Sequence, residues 1–276
     1  SIEEEVERIL SKYKELDSQD LTQTYSLVDQ LIAQQARDAG VMGFDDFKAV
    51  DVNDISVRDM VMPQIPKEFE NAVSDLQHGQ YNNREDATDL KSALGNNWLG
   101  DEVVNGFIEM LKSPRIGFIN SFFFTKLSRD WRTPDGEINY SDAKRWTRAM
   151  DMFSYEKVLI PVNIRNTHWV LAVIDNQQEE ITVLDSLGPA RPQIAEKIAL
   201  FVRRYGEEKG RTALYTIVHT EDNPRQSNGY DCGAFTCKCA DCISLGVPFE
   251  FSQKDMRQVR KQIVAQILLK RLIVAR

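Results

Sequence analysis

Val158-Leu-Ile-Pro-Val-Asn-Ile164, Trp169-Val-Leu-Ala-Val-Ile-Asp175 and Ile181-Thr-Val-Leu-Asp185 read as three strands close together in the chain. Each is a short run rich in β-branched residues and bounded by polar ones, and the polar stretch 176–180 joins the last two as a hairpin. Downstream, Ile194, Ile198, Phe201 and Val202 recur at helical spacing, and Leu214 to Val218 reads as a further strand. Two helices close the chain, one from about Cys232 and one after Ser252 carrying Met256, Val259, Ile263 and Ile267. Upstream, Leu99, Val103, Val104, Phe107, Ile108 and Leu111 mark a helix with Asp101 and Glu102 in its first turn, where the dipole favours acids. Ile119 to Phe124 is a compact apolar run, and Ser141 is placed to cap a helix carrying Trp146 and Met150. Strands and helices interleave, which predicts an α+β class with a central mixed sheet.

The first ninety residues have another texture. Ile2, Val6, Ile9, Leu10, Tyr13 and Leu16 form one helical stripe, and Leu21, Tyr25, Val28, Leu31 and Ile32 a second that stops near Gly40. The pattern dissolves from Phe44 to Pro66, Met62 to Pro66 reads as loop, and Pro66 is suited to open a short helix through Leu76. The polar, turn-rich stretch 78–89 is the best boundary, giving a helical accessory region at 1–90 and a second domain at 91–276.

The 276 residues suffice for a sizeable core, and 42% hydrophobic with 28% charged is ordinary for a globular protein. A net charge of −8 disfavours nucleic acid as a partner. No apolar run approaches the ~18 residues of a membrane span. The four cysteines, Cys232, Cys237, Cys239 and Cys242, lie within eleven residues of one another. A disulfide framework would spread them to staple distant loops, so the expected compartment is reducing, cytoplasm or nucleus. Cys239 and Cys242 form a C-x-x-C with no second ligand pair nearby, so neither a metal nor a cofactor is expected.

Cys232 follows the turn signal Asn228-Gly229 and opens a helical pattern with Phe235, Cys239 and Ile243 on one side. Unpaired N–H groups and the dipole at a helix start favour a thiolate, and Gly233 would let a substrate approach closely. A buried core cysteine is the other reading. A nucleophilic thiol needs an imidazole. Of the three histidines, His78 sits in the polar boundary and His219 ends a strand, whereas His168 opens one and can aim into a cleft. Asp185 ends the partner strand, so hairpin pairing brings it close to His168, where a carboxylate can hold the Nδ1 proton. It is equally suited to forming the turn before Ser186-Leu-Gly-Pro189. Gln226 can help bind an oxyanion alongside the Cys232 backbone N–H, or serve as a plain loop residue.

Three of these blocks, His168-Trp169, Val183-Leu-Asp-Ser-Leu187 and Gln226-Ser-Asn-Gly-Tyr-Asp-Cys-Gly233, resemble the signatures of the SUMO-specific (Ulp/sentrin-specific) cysteine proteases. Trp98-Leu-Gly-Asp101, Asn120-Ser-Phe-Phe-Phe-Thr125, Lys144-Arg-Trp146 and Leu159-Ile-Pro-Val162 are similar to that family too, in the same order, across roughly residues 96 to 272. The resemblance implies a papain-like cysteine protease core. It implies catalytic roles for Cys232, His168, Asp185 and Gln226, and a narrow tunnel for a modifier's Gly-Gly tail covered by Trp98 and Trp169, with Asp101 beside them. The expected activity is cleavage after the Gly-Gly of SUMO, in conjugates and precursors. Ubiquitin or another ubiquitin-like modifier is the alternative, since effectors related to the family act on ubiquitin inside a host cell. Protein acetyl transfer and non-catalytic modifier binding are two further classes.

Overall fold

The computed structural model describes residues 56–81, 84–188 and 191–274. The stripes at 2–16 and 21–32 and the stop at Gly40 lie outside the described residues. Elements are numbered from Ser56 onward. Five strands form one sheet in the order β1-β2-β3-β4-β5: Ile116–Phe118, Lys157–Ile164, His168–Asp175, Glu180–Leu184 and Thr216–Val218. The two outer pairings are parallel and the two inner ones antiparallel, so the sheet is mixed as the interleaved pattern predicts.

β3 is buried from His168 to Ile174 because it is covered on both faces. Trp169, Leu171 and Val173 join one hydrophobic cluster, and Val170, Ala172 and Ile174 join another, as a period of two requires. The first cluster packs on α4 (Asp101–Met110), α8 (Cys232–Leu245) and α9 (Met256–Leu269). The second packs on α5 (Phe122–Leu127) and α7 (Pro192–Glu208). Ser252 caps the single 3-10 turn leading into α9 through a capping box with Asp255.

The chain crosses the compositional change at 78–89 without leaving the core, since one compact unit spans Ser56–Arg276. α1 (Val57–Val61), α2 (Lys67–Gln77) and α3 (Arg84–Ala93) all belong to it. Pro66 does precede α2, whose Phe69, Val73 and Leu76 are buried. Phe69 and Val73 pack on Ala265 of α9. Each such side chain contributes about 1.5–3 kcal/mol. The flanking ion pairs Glu70–Lys261 and Glu68–Arg271 are more exposed and contribute at most about 1 kcal/mol each. Apolar burial therefore fixes α2.

Ser141 caps nothing. A short helix, α6 (Tyr140–Ala143), starts one residue earlier and tightens into a 3-10 turn at Lys144–Thr147. Its start is set by packing, the Tyr140 ring lying 5.0 Å from that of Phe201. Among the described residues no helix is long and apolar enough to cross a membrane.

Candidate active site

Cys232 is the first residue of α8, with Asp231 at the N-cap position. The first N–H groups of a helix have no intrahelical partner and point past its end. Asp231 would place an anion beside the thiol, but its carboxylate is paired with Arg260 at 2.7 Å, both side chains being buried. Asn228 Nδ2 and Gln253 Nε2 also donate to it, at 2.7 and 2.8 Å, so the loop before the thiol is fixed from three sides.

His168 opens β3 directly after a tight turn. Pairing of Ile164 with His168 closes that turn, and Arg165 and Asn166 adopt left-handed conformations (φ 49° and 58°). The imidazole Nε2 lies 2.7 Å from Asp185 Oδ1, and the ring lines one cavity with the Cys232 thiol, close enough for that thiol to raise its pKa. The ring nitrogens are thus reversed from the sequence expectation: Nε2, not Nδ1, meets the carboxylate, which leaves Nδ1 to the thiol. Register explains it. Leu171 pairs with Leu184, so Asp185 falls opposite Val170, and His168 spans the two-residue offset with its outer nitrogen.

Asp185 is fully buried and its oxygens are all engaged. Leu187 N–H donates to Oδ1 at 2.9 Å, Arg191 Nε to Oδ2 at 2.7 Å, and Asn223 Nδ2 to the backbone carbonyl at 2.9 Å. Burial alone would raise its pKa, but the bonds from His168, Arg191 and Leu187 hold it below the usual carboxylate range. For His168, burial opposes the charge, yet the hydrogen bonds and charges of Asp185 and Cys232 prevail and push it up to about 9. The ring therefore stays an imidazolium at neutral pH and loses its proton as pH rises through about 9. An NMR titration of the imidazole is expected to show a midpoint near 9, falling in Cys232→Ala, which removes a group that raises it. A midpoint near 6.5 in the wild type would break the three-residue contact. The remaining histidines, His78 and His219, are exposed.

A cavity of about 220 Å³ runs to the thiol, lined among others by Trp98, Asp101, His168, Trp169 and Cys232. Trp98 is 53% exposed and its indole N–H donates to Gly229 O at 2.6 Å, tying the rim to the loop before the thiol. Trp169 is buried in the wall, its indole N–H donating to Leu99 O at 2.9 Å. Asp101 begins α4 and accepts from Ser121 Oγ at 3.2 Å. Gly233 does not make room for substrate: a Cβ there would meet the Leu99 side chain at 2.9 Å, so the glycine lets α8 seat against Leu99. Burial pushes the Cys237 and Cys239 thiols up, so they are inert beside Cys232. Sequence reasoning missed Arg260, Asp231, Ser186 and Arg191, whose partners are all distant or beyond a turn.

A helix-borne thiol, a strand-borne imidazole and a carboxylate at the next strand's end, on this sheet, define the α+β papain-like cysteine protease fold. The chain belongs to the Ulp1 protease family: residues 97–272 match the model of its C-terminal catalytic domain. It is 33% identical over 198 residues to sentrin-specific protease 2 of Rattus norvegicus, covering 67% of this chain and 32% of that protein. A sentrin-specific protease of Caenorhabditis elegans is 32% identical over 197 residues, 67% of this chain and 27% of that one. The chain thus spans about a third or less of the curated relatives it matches. Among solved structures, the C-terminal Ulp1 protease domain in complex with Smt3, the yeast ortholog of SUMO, superposes with a TM-score of 0.64 at 26% identity, over 75% of this chain and 97% of that one. The SUMO protease Ulp1 with its catalytic cysteine oxidised to a sulfonic acid gives 0.66 at 26% identity, over 76% and 98%.

Proposed function

We propose that this chain is a thiol isopeptidase that cleaves after the C-terminal Gly-Gly of SUMO, in conjugates and precursors. The observation that carries the reading is the Cys232–His168–Asp185 contact at the end of a tryptophan-walled groove, in a chain whose relatives are sentrin-specific proteases. The Cys232 sulfur attacks the scissile glycine carbonyl. Imidazolium His168 gives its proton to the departing lysine amine, and the neutral ring then activates a water that hydrolyses the thioester. The tetrahedral oxyanion is held by the Cys232 backbone N–H and the Gln226 amide. Trp98 and Trp169 flank the tail where a side chain on the substrate would clash, so glycine is selected by exclusion. Four buried free thiols fit a reducing compartment, cytosol or nucleus.

SUMO, ubiquitin and other modifiers carrying a C-terminal vinyl sulfone test this directly. The expected result is labelling of Cys232 by the SUMO probe well above the ubiquitin probe. A SUMO substrate whose Gly-Gly is changed to Ala-Ala should be cleaved at least roughly a hundredfold more slowly, about 2.7 kcal/mol of lost transition-state binding. Preferential labelling by ubiquitin would reassign the modifier. Efficient cleavage of the Ala-Ala tail would remove the glycine tunnel.

A further inference from the structure

A glutamine amide can face either way, but at Gln226 every atom of that amide but one hydrogen is spoken for. Its Oε1 lies 2.6 Å from Ser186 Oγ, and its Nε2 lies 2.6 Å from the backbone carbonyl of Asn228. A carbonyl oxygen only accepts, so Nε2 must face Asn228, and Oε1 must therefore face Ser186, whose hydroxyl donates. The flipped amide would set two oxygens against each other at 2.6 Å. The main chains are joined as well, Gln226 N–H donating to Ser186 O at 2.9 Å. Ser186 and Gln226 are both buried, 6% and 8% exposed, so neither bond is replaced cheaply by water.

We propose that Ser186 is a positioning residue for the oxyanion donor: it anchors Gln226 Oε1 so that the second Nε2 hydrogen is aimed at the developing oxyanion. This rests on the reading of Gln226 as that donor. The bond to Asn228 sets which way the amide faces but leaves it free to pivot about one contact. The Ser186 hydroxyl supplies the second fixed point, and by donating to Oε1 it also polarises the amide and strengthens its N–H. Ser186 directly follows Asp185, whose carboxylate holds His168. One dipeptide at the end of β4 thus sets both the proton-transfer group, through Asp185, and the oxyanion donor, through Ser186. Arg225 Nη1 and Asn223 Nδ2 both bond the Asp185 carbonyl, at 3.0 and 2.9 Å, and keep that dipeptide in register with the loop carrying Gln226.

The test is a double-mutant cycle of Ser186→Ala and Gln226→Ala, read with SUMO bearing a C-terminal coumarin amide and, separately, by iodoacetamide alkylation of Cys232. Alkylation forms no tetrahedral oxyanion, so it reports the thiol–imidazole pair and the fold alone. Gln226→Ala is expected to lower kcat by about 10²- to 10³-fold. Ser186→Ala should lower kcat by roughly tenfold, with KM and the alkylation rate within about twofold of wild type. In the Gln226→Ala background, Ser186→Ala should cost nothing more. The same tenfold loss in both backgrounds, or slowed alkylation in Ser186→Ala, would show that Ser186 acts through Asp185 or the fold, and overturns the proposal. Wild-type kcat in Gln226→Ala would instead fail the oxyanion reading itself, and Ser186's role with it.

Discussion

Replacing Cys232 with alanine is expected to abolish turnover, by at least about 10⁴-fold, while the modifier still binds. The substitution removes one sulfur atom from a residue 2% exposed, so the outer surface on which a modifier's globular body would rest is unchanged. His168→Ala should be nearly as damaging if, as proposed, the imidazole beside the thiol is the acid that protonates the leaving amine. Combining the two should cost no more than either alone, since members of one catalytic unit are not additive. Asp185→Asn is different in kind. An asparagine can still accept from the imidazole through its amide oxygen, as the Cys-His-Asn arrangement of papain-like proteases does, so turnover should stay above that of His168→Ala. It loses in addition the anion that Arg191 pairs with at 2.7 Å, so the residual activity should still fall below wild type. Steady-state kinetics on a SUMO coumarin amide, with calorimetric titration of mature SUMO into each variant, read both quantities. Turnover by Cys232→Ala, or wild-type kinetics from His168→Ala, would remove the assignment.

The parts of this site that run along the chain were legible in it. The hairpin from 168 to 185 announces itself through apolar runs on either side of a polar turn, and its pairing alone brings His168 near Asp185. Asn228-Gly229 before an apolar helical pattern places Cys232 at a helix start, as found. What periodicity cannot show is which polar residue turns inward to meet another element. The choice between imidazole nitrogens depends on a two-residue register offset. Gly233 reads as an opening for substrate, but its neighbour is Leu99, 134 residues earlier in the chain. α3 begins at Arg84 inside a polar stretch that looks like a boundary, because tertiary packing of Leu90 and Ala93, not local pattern, secures it. Ser186 falls in the turn after Asp185, and neither spacing nor composition distinguishes such a buried anchor from a solvated loop residue.

Arg260 is the largest case of such a hidden role, and its replacement is expected to be the most destabilising single change among the site's supports. By spacing it sits on α9 between Val259 and Lys261 and passes for surface. In the fold it is 3% exposed, and its guanidinium makes four short bonds. Nε donates to Asp231 Oδ1 at 2.7 Å and Nη1 to Ala93 O at 2.9 Å, while Nη2 donates to Asn97 O at 2.8 Å and Tyr230 O at 2.9 Å. The first and last of these partners lie in the loop before Cys232, and the other two lie just ahead of Trp98. One planar cation therefore ties the loop before Cys232 to the groove's rim. Arg260→Met keeps the apolar stem but strands a buried carboxylate and three carbonyls, and breaking a buried pair in this way costs about 3–5 kcal/mol. Arg260→Lys should recover little, because a single ammonium cannot fork to acceptors on two separate segments. Asp231→Asn in the Arg260→Met background should restore part of the loss by removing the uncompensated charge. Urea unfolding should show these as shifts of midpoint at a common m-value. In variants that remain folded, kcat should fall and KM rise together, since the thiol and the groove wall lose a shared anchor. A change of under about 1 kcal/mol for Arg260→Met would mean that water reaches Asp231 and that the two walls are held apart from one another by other contacts.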